Sequence, residues 1–401
     1  MGAFIARIRL AMINAVGGEC RSAVGVGDIA MTMRPSGGAC FFSGVMTKLV
    51  FFCMLASMSA TSVSAQPIED AFKAEINANT VTILGGGING TYLRFADDIA
   101  TAIGDGDNLR ILPMRGDGKN VRDLFYLRGV DMAMIRADEI ETLRGQPHFP
   151  NLDQRLKYIT VLCLEELHVW ASKPEIRSVS DLQGKVVAVS GGALEAVEIL
   201  LGKLGITPAK LVESRPLDAI ANIENGQYDA LIRFAGKPVT DLDKMSEINS
   251  QMRLVPVPYA ESLSDTVYVP TTLSHDDYPM FIPEGQKVET IAVNALLAVY
   301  NWPVGSERYL RLARFTEAFF SNFSAIIDRK GRDAKWDEVN LASTLNGWQR
   351  FKPAEDWIKR QAQTGDVTGA TQAAPVRRVA STFKKILKTK SRTAPLAAKR
   401  R

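Results

Sequence analysis

Three times along this chain a short apolar run passes through a glycine-rich turn into a stretch of helical period. That repeated unit constrains the fold more than any other feature. In the first, "VTIL" (81–84) reads as a buried strand and residues 85–90 as the turn. The following "TYLRFADDIATAI" places Tyr92, Phe95, Ile99 and Ile103 on one helical face. The second unit runs from "LRILPM" through "RGDGKN" to "VRDLFYLRG". The third runs from "VVAV" through "SGGA" to "LEAVEILLGKLG", closed by Gly205. "DMAMIR" and "YDALIR" add strands, and "AIANIENG" adds a helix ending at Gly226. "YITVLCLEELHVWAS" is a longer strand leaving the first set of units, and "DTVYVPTT" a strand leading back towards it. Strands alternating with helices predict an α/β protein whose parallel or mixed sheet is covered on both faces.

The two ends differ from the body. Lys48, the apolar run Leu49 to Ala56 and the small residues Val63-Ser64-Ala65 have the form of an export signal cleaved after Ala65. The run is too short to span a bilayer, and Met46 is the expected start. An uncleaved anchor is the alternative. Cys20, Cys40 and Cys53 precede the expected cleavage, which leaves Cys163 in an apolar run as a buried small hydrophobe without a disulfide partner. These features predict a periplasmic protein, and nothing in the sequence demands more than a monomer.

Charge is unevenly placed. Residues 364–401 hold ten Lys or Arg and one acid, and residues 1–65 hold five bases and two acids. With +4 over the whole chain, residues 66–363 carry −8. A body of that balance is a poor binder of nucleic acid, whose phosphates need a basic surface. The basic tail, rich in Ala, Thr and Lys, has no sustained apolar face and is expected to be disordered and solvated.

Gly85, Gly87 and Gly90 fit the G-x-G-x-x-G pattern of dinucleotide sites. The physical reasons for those glycines apply equally to any small anion at a helix N-terminus. A dinucleotide site also needs a ribose-binding acid after the second strand, and here that strand runs into Arg115. Export also argues against a nicotinamide cofactor, and none is expected. His148, His168 and His275 lie far apart without metal-ligand spacing, and no nucleophile elbow occurs, so neither a metal nor a catalytic residue is assigned. His168 alternates with apolar residues and reads as structural. The pairs Asp97-Asp98 and Glu165-Glu166 read as solvated charge, and Trp336, Trp348 and Trp357 as packing residues.

Four segments occur in order: "ILGGGINGTYLRFADDIA", "GDGKNVRDLFYLRGVDMAMIRADEI", "DLQGKVVAVSGGALEAVEILL" and "NGQYDALIRFAGKP". Together with "KWDEVNLASTLNGWQRF" they resemble the extracytoplasmic solute receptors of TRAP transporters, in the TAXI branch, over about residues 78–355. The resemblance implies a two-lobed periplasmic-binding-protein fold of type II. It also implies a receptor that hands a small organic acid or amino acid to ion-driven membrane subunits. On that basis residues 66–170 form the first part of lobe 1 and residues 171–267 form lobe 2. Residues 268–363 return to lobe 1 with the C-terminal helices. The chain departs from the branch at residues 86–90, at Arg136 where a Gln is common, and at Ser190-Gly191-Gly192-Ala193 where Ser-Gly-Thr is usual. A periplasmic sensor or scaffold is the second reading, and an exported nucleotide-dependent enzyme the third.

Ligands in open α/β sheets bind beyond the C-terminal ends of the strands. The expected site therefore takes Gly87, Asn89, Gly90, Thr91 and Tyr92 from the first turn and Gly118 and Asn120 from the second. Gly191, Gly192 and Ala193 come from the third, with Gly236 after "ALIRFA". "GVDMAMIR" and "GQYDALIR" share a shape that sets Arg136 and Arg233 at matching strand ends, one per lobe. An arginine suits a carboxylate through two parallel N–H bonds. The prediction is an organic anion, a dicarboxylate or acidic amino acid, bridging a cleft that closes by a hinge. The alternative for either arginine is an ion pair with a nearby acid such as Asp138. Tyr92 and Phe234 fit equally as ligand contacts or as core.

Overall fold

The computed structural model describes residues 66–88, 90–104, 109–239 and 251–364. The expected export signal, the tail beyond Thr364 and Asn89 lie outside the described residues. Helix α1 (Gln66–Ala78) leads into β1 (Thr80–Leu84), α2 (Thr91–Ile103), β2 (Arg110–Met114) and α3 (Asn120–Tyr126). Then come β3 (Met132–Arg136), α4 (Ala137–Leu143) and the single turn α5 (Leu152–Arg155). The next strand, β4 (Leu156–Ala171), has 16 residues, which at ~3.3 Å each spans about 50 Å. The second set of units is β5 (Val186–Ser190), α6 (Leu194–Lys203), β6 (Lys210–Glu213), α7 (Pro216–Glu224) and β7 (Ala230–Ala235). Strands β8 (Arg253–Leu254), β9 (Tyr268–Ser274) and β10 (Lys287–Tyr300) follow, and helices α8 (Glu307–Ser321), α9 (Phe323–Ile327) and α10 (Lys352–Thr364) close the body. No helix among the described residues is long and apolar enough to cross a membrane.

One sheet runs through the molecule in the order β2-β1-β3-β10-β4-β7-β5-β6. At one end β1 pairs in parallel with β2 and β3, and at the other β5 pairs in parallel with β6 and β7. Between them lie the two long strands β4 and β10, antiparallel to each other. Residues 295–299 of β10 pair with β3, and residues 287–293 pair with β9. Residues 166–170 of β4 pair with β7. Each long strand therefore belongs to both halves, and the ladder shifts register between Asn294 and Leu296, where the pair passes from one half to the other. This is a two-lobed α/β fold, as expected.

The core divides accordingly into four apolar clusters, one on each sheet face of each lobe. β4 is buried along almost its whole length on both faces, which explains its apolar runs and also encloses Lys157, Thr160, Glu166 and His168. Helix α2 buries Phe95, Ala96, Ile99 and Ile103 at helical spacing. Phe95 stacks on Trp336 with ring centroids 4.1 Å apart, and Trp336, Trp348 and Trp357 are all buried. Cys163 is buried as expected, and burial pushes its thiol pKa well up.

Two expectations change. The first is the solvated reading of the acidic pairs. Asp97 is exposed, but Asp98 is buried and accepts from Arg329 Nη1 at 2.7 Å and from Trp336 Nε1 and the Asp333 N–H at 2.9 Å each. Three donors compensate the desolvated carboxylate and tie the C-terminal segment to α2. Glu165 and Glu166 are likewise both buried, because β4 has helices over both faces. The second is the return path. Tyr268 packs in a second-lobe cluster, and so do Leu273, Tyr278 and Ile282. The chain therefore stays in the second lobe through β9, and β10 makes the crossing.

Candidate functional site

The glycine turns at the strand ends set the site. A Cβ on Gly85 would lie 2.8 Å from Leu93 Cα, so the chain enters α2 only as glycine. The Gly85 N–H donates to Met114 O at 2.8 Å and the Gly116 N–H to Gly86 O at 3.2 Å, which fastens the first two turns together. Asn120 completes the fastening. Its side-chain amide donates to Gly85 O at 2.6 Å and to Met134 O at 2.7 Å. Both N–H groups are thus committed to backbone, so Asn120 does not supply the donor expected of it. What it leaves unpartnered among the described residues is its buried carbonyl oxygen.

The facing lobe brings the third turn against the second. Gly118 has φ 91° and Gly192 φ 68°, a region L side chains rarely adopt. A Cβ on Gly118 would overlap Gly191 O and lie 2.8 Å from Gly192 Cα. One on Gly192 would lie 2.5 Å from Gly118 O. The lobes thus meet backbone to backbone. Farther along, a Cβ on Gly236 would lie 3.0 Å from Thr91 Oγ1 and 3.2 Å from the Lys335 side chain.

Between the lobes lies a cavity of about 780 Å³. Gly87, Gly90, Thr91 and Tyr92 line it from the first turn, and Gly118 and Asn120 from the second. Gly191, Gly192 and Gly236 line it from the other lobe, with Arg136 and Arg233 at their strand ends. Asn89 lies outside the described residues. Ala193 is a correction: it is 1% exposed and packs into the core of the second lobe instead of lining the cleft.

Arg136 realises both of its alternatives at once. Its Nε is 2.9 Å from Asp138 Oδ1, yet its guanidinium lines the cleft and lies 5.1 Å from the centroid of Phe234 in the opposite lobe. Phe234 in turn stacks on Tyr268, whose hydroxyl is 3.3 Å from Asp138 Oδ2. Phe234 also lines the cavity while remaining 6% exposed. Burial works against the Arg136 charge, but Asp138 and Glu165 outweigh it and raise its pKa. Arg233, half-buried, pairs in register with Ser190 and His168.

Sequence reasoning missed four groups here: Glu139, Glu165, Ser190 and Lys335, all lining the cavity. Burial raises the Glu165 pKa against the opposing charge of Arg136, and raises that of Glu139 to about 7. The signal for Glu165 was its place inside a 16-residue apolar strand. Ser190 is 1% exposed, and its Oγ has no hydrogen-bond partner among the described residues. The buried hydroxyl of Tyr92 lies beside Glu165, and its pKa is raised by burial and by that charge. Lys335 bonds Glu166 at 2.7 Å and Glu338 at 2.6 Å, while the Lys237 N–H donates to Glu166 at 3.0 Å. Nothing in the sequence near "KWDEV" announces that bridge.

His168 sits beside this site without entering it. Its ring nitrogens are 2.9 Å from Glu166 O and 2.6 Å from the Tyr278 hydroxyl, and burial with the charge of Arg233 lowers its pKa to about 3. Among the described residues no group of three or more His, Cys, Asp or Glu is placed to hold a metal ion.

No family model matches the chain, and no curated protein matches it. Solved structures do. A histidine kinase sensor domain with similarity to periplasmic binding proteins is 16% identical, with 65% of this chain and 96% of that one covered and a TM-score of 0.40. The arginine-bound form of truncated ArgBP from T. maritima is 14% identical, with coverages of 62% and 98% and a TM-score of 0.37. An ABC uptake transporter substrate-binding protein from Streptococcus pneumoniae with bound histidine is 14% identical, with coverages of 64% and 94% and a TM-score of 0.37.

Proposed function

We propose that this protein is a periplasmic solute receptor that closes two lobes on a small organic anion, a carboxylate or acidic amino acid. One observation carries the reading. Asn120 Oδ1 and Ser190 Oγ are buried without hydrogen-bond partners among the described residues, Tyr92 Oη is buried beside Glu165, and all three residues line the same cavity. Buried polar atoms are normally satisfied, so exceptions at one cleft point to a ligand: a hydroxyl such as Ser190 Oγ can donate to a carboxylate, while Asn120 Oδ1, an acceptor, suits the ammonium of an amino acid. Arg136 and Arg233 supply positive charge from each side, and the turns add backbone N–H groups at helix N-termini. The reading is of binding without turnover, by an exported monomer that delivers its solute to TRAP-type membrane subunits. The ordered motifs of residues 78–355 support the transport assignment.

The test is a thermal-shift screen of the protein against carboxylic acids, amino acids and nicotinamide cofactors. A ligand at about a hundred times its dissociation constant adds roughly 2.7 kcal/mol of stability. Stabilisation by an organic acid is expected. Stabilisation by NAD or NADP alone would overturn the reading in favour of a nucleotide site. Transport is tested by uptake of the acid found into proteoliposomes bearing TRAP membrane subunits, with and without the receptor.

A further inference from the structure

A second cavity, of about 760 Å³, adjoins the cleft. The two share Gly118, Arg136, Glu139, Gly192 and Glu213, so Arg136 and Glu139 face both spaces across the meeting point of the glycine turns. The second cavity also lies between the lobes. Tyr126, Leu143, Phe149 and Pro150 come from one side, and Leu194 and Ala196 in the first turns of α6 from the other. Most of its exposed wall is apolar, but Lys119, Arg122, Glu195 and Glu213 also line it, whereas the cleft presents glycine backbone, arginines and unsatisfied oxygens. Small-molecule pockets commonly run ~300–1,000 Å³, so either space alone would hold a small acid. Two such spaces, one polar and one apolar, meeting at an arginine suit a molecule with two unlike ends.

We infer that the solute is an amphiphilic acid. Its carboxylate lies in the glycine-lined cleft at Arg136, and an extended apolar tail lies in the chamber walled by Tyr126, Leu143, Phe149 and Leu194. This rests on the solute-receptor reading and names its ligand class. A tail there touches α3 and α4 of one lobe and α6 of the other, so burying it favours closure just as the head group does. The apolar walls reward each buried methylene, and comparison with short dicarboxylates tests whether Lys119 and Arg122, which also line the chamber, take a second charged end instead.

The experiment is calorimetric titration of the full chain with straight-chain monocarboxylates from acetate to decanoate, with succinate and glutamate alongside. Affinity is expected to rise roughly fourfold for each added methylene through the middle of the series, the fold-change of about 0.8 kcal/mol per buried CH₂. Tyr126→Ser is expected to flatten that rise, and a rise as steep as in the wild type would overturn the placement of the tail. A flat series, or tighter binding of succinate or glutamate than of any longer monoacid, overturns this inference and leaves the receptor standing. Failure of every acid to bind overturns both.

Discussion

Replacing Gly118 with alanine tests whether the backbone contact between the lobes is what closes the cleft. Two costs arise, and they separate. The residue has φ 91°, so a Cβ brings backbone strain of ~1–2 kcal/mol, which an alanine carries in open and closed forms alike. The second cost exists only when the lobes meet, because the new methyl would overlap Gly191 O and lie 2.6 Å from Gly191 C and 2.8 Å from Gly192 Cα. Those are backbone atoms and cannot swing away, so the lobes must part. Overpacking of this kind costs ~1–3 kcal/mol, and charged to the closed state alone it raises the dissociation constant about 5- to 150-fold. The assay is calorimetric titration with the acid identified by the thermal-shift screen, joined to small-angle scattering with and without it. Gly184→Ala is the control. Gly184 also has positive φ, 69°, but its Cβ would meet nothing within 4 Å. It is expected to lose stability and keep its affinity. Wild-type affinity in Gly118→Ala would refute the argument that this contact governs closure.

Three further outcomes follow from the described contacts. Glu139 is raised to about 7 from an unfolded value near 4.5. The folded state therefore holds the extra proton, and stability is full below about pH 4.5 and declines as pH rises towards 7, by at most ~1.4 kcal/mol per unit. Glu139→Gln should shrink that decline in urea titrations of the ligand-free protein, and an unchanged slope would assign it to other groups such as Glu166, also raised to about 7. Asp98→Ala strands Arg329, the Trp336 indole and the Asp333 N–H, and should cost about 3–5 kcal/mol in the same assay; a loss below 1 kcal/mol would mean water replaces the carboxylate. Arg233→Ala should weaken acid binding at least tenfold, and an unchanged dissociation constant would remove Arg233 from the site.

The units that alternate in the sequence are the units that fold, because strand, turn and helix there are each set locally. Gly85 and Gly118 were legible as turn residues for the same reason. Which partner each turn meets was not legible, since Gly118 and Gly192 are 74 residues apart and touch only through the tertiary fold. Glu165 and Asp98 were misjudged through one assumption, that adjacent acids face water. A sheet covered on both sides overrides it for Glu165, and a cluster of three distant donors overrides it for Asp98. The late return to the first lobe was hidden for a related reason. The apolar pattern of β9 shows that it packs, and leaves open in which half.

The long antiparallel pair β4 and β10 has a mechanical consequence. A joint made of two strands laced together by main-chain bonds behaves as a leaf spring, with a rest angle and a restoring torque, where a joint of single loops would swing freely. Its compliance concentrates at the two irregular steps, between Asn294 and Leu296 and between Leu297 and Ala298, since a regular ladder resists bending in its own plane. On the proposed receptor reading, letting the solute go requires flexing this spring without breaking a rung. The pace of release is thereby tied to the stiffness of a ribbon buried beneath the cleft, on which few surface changes could act.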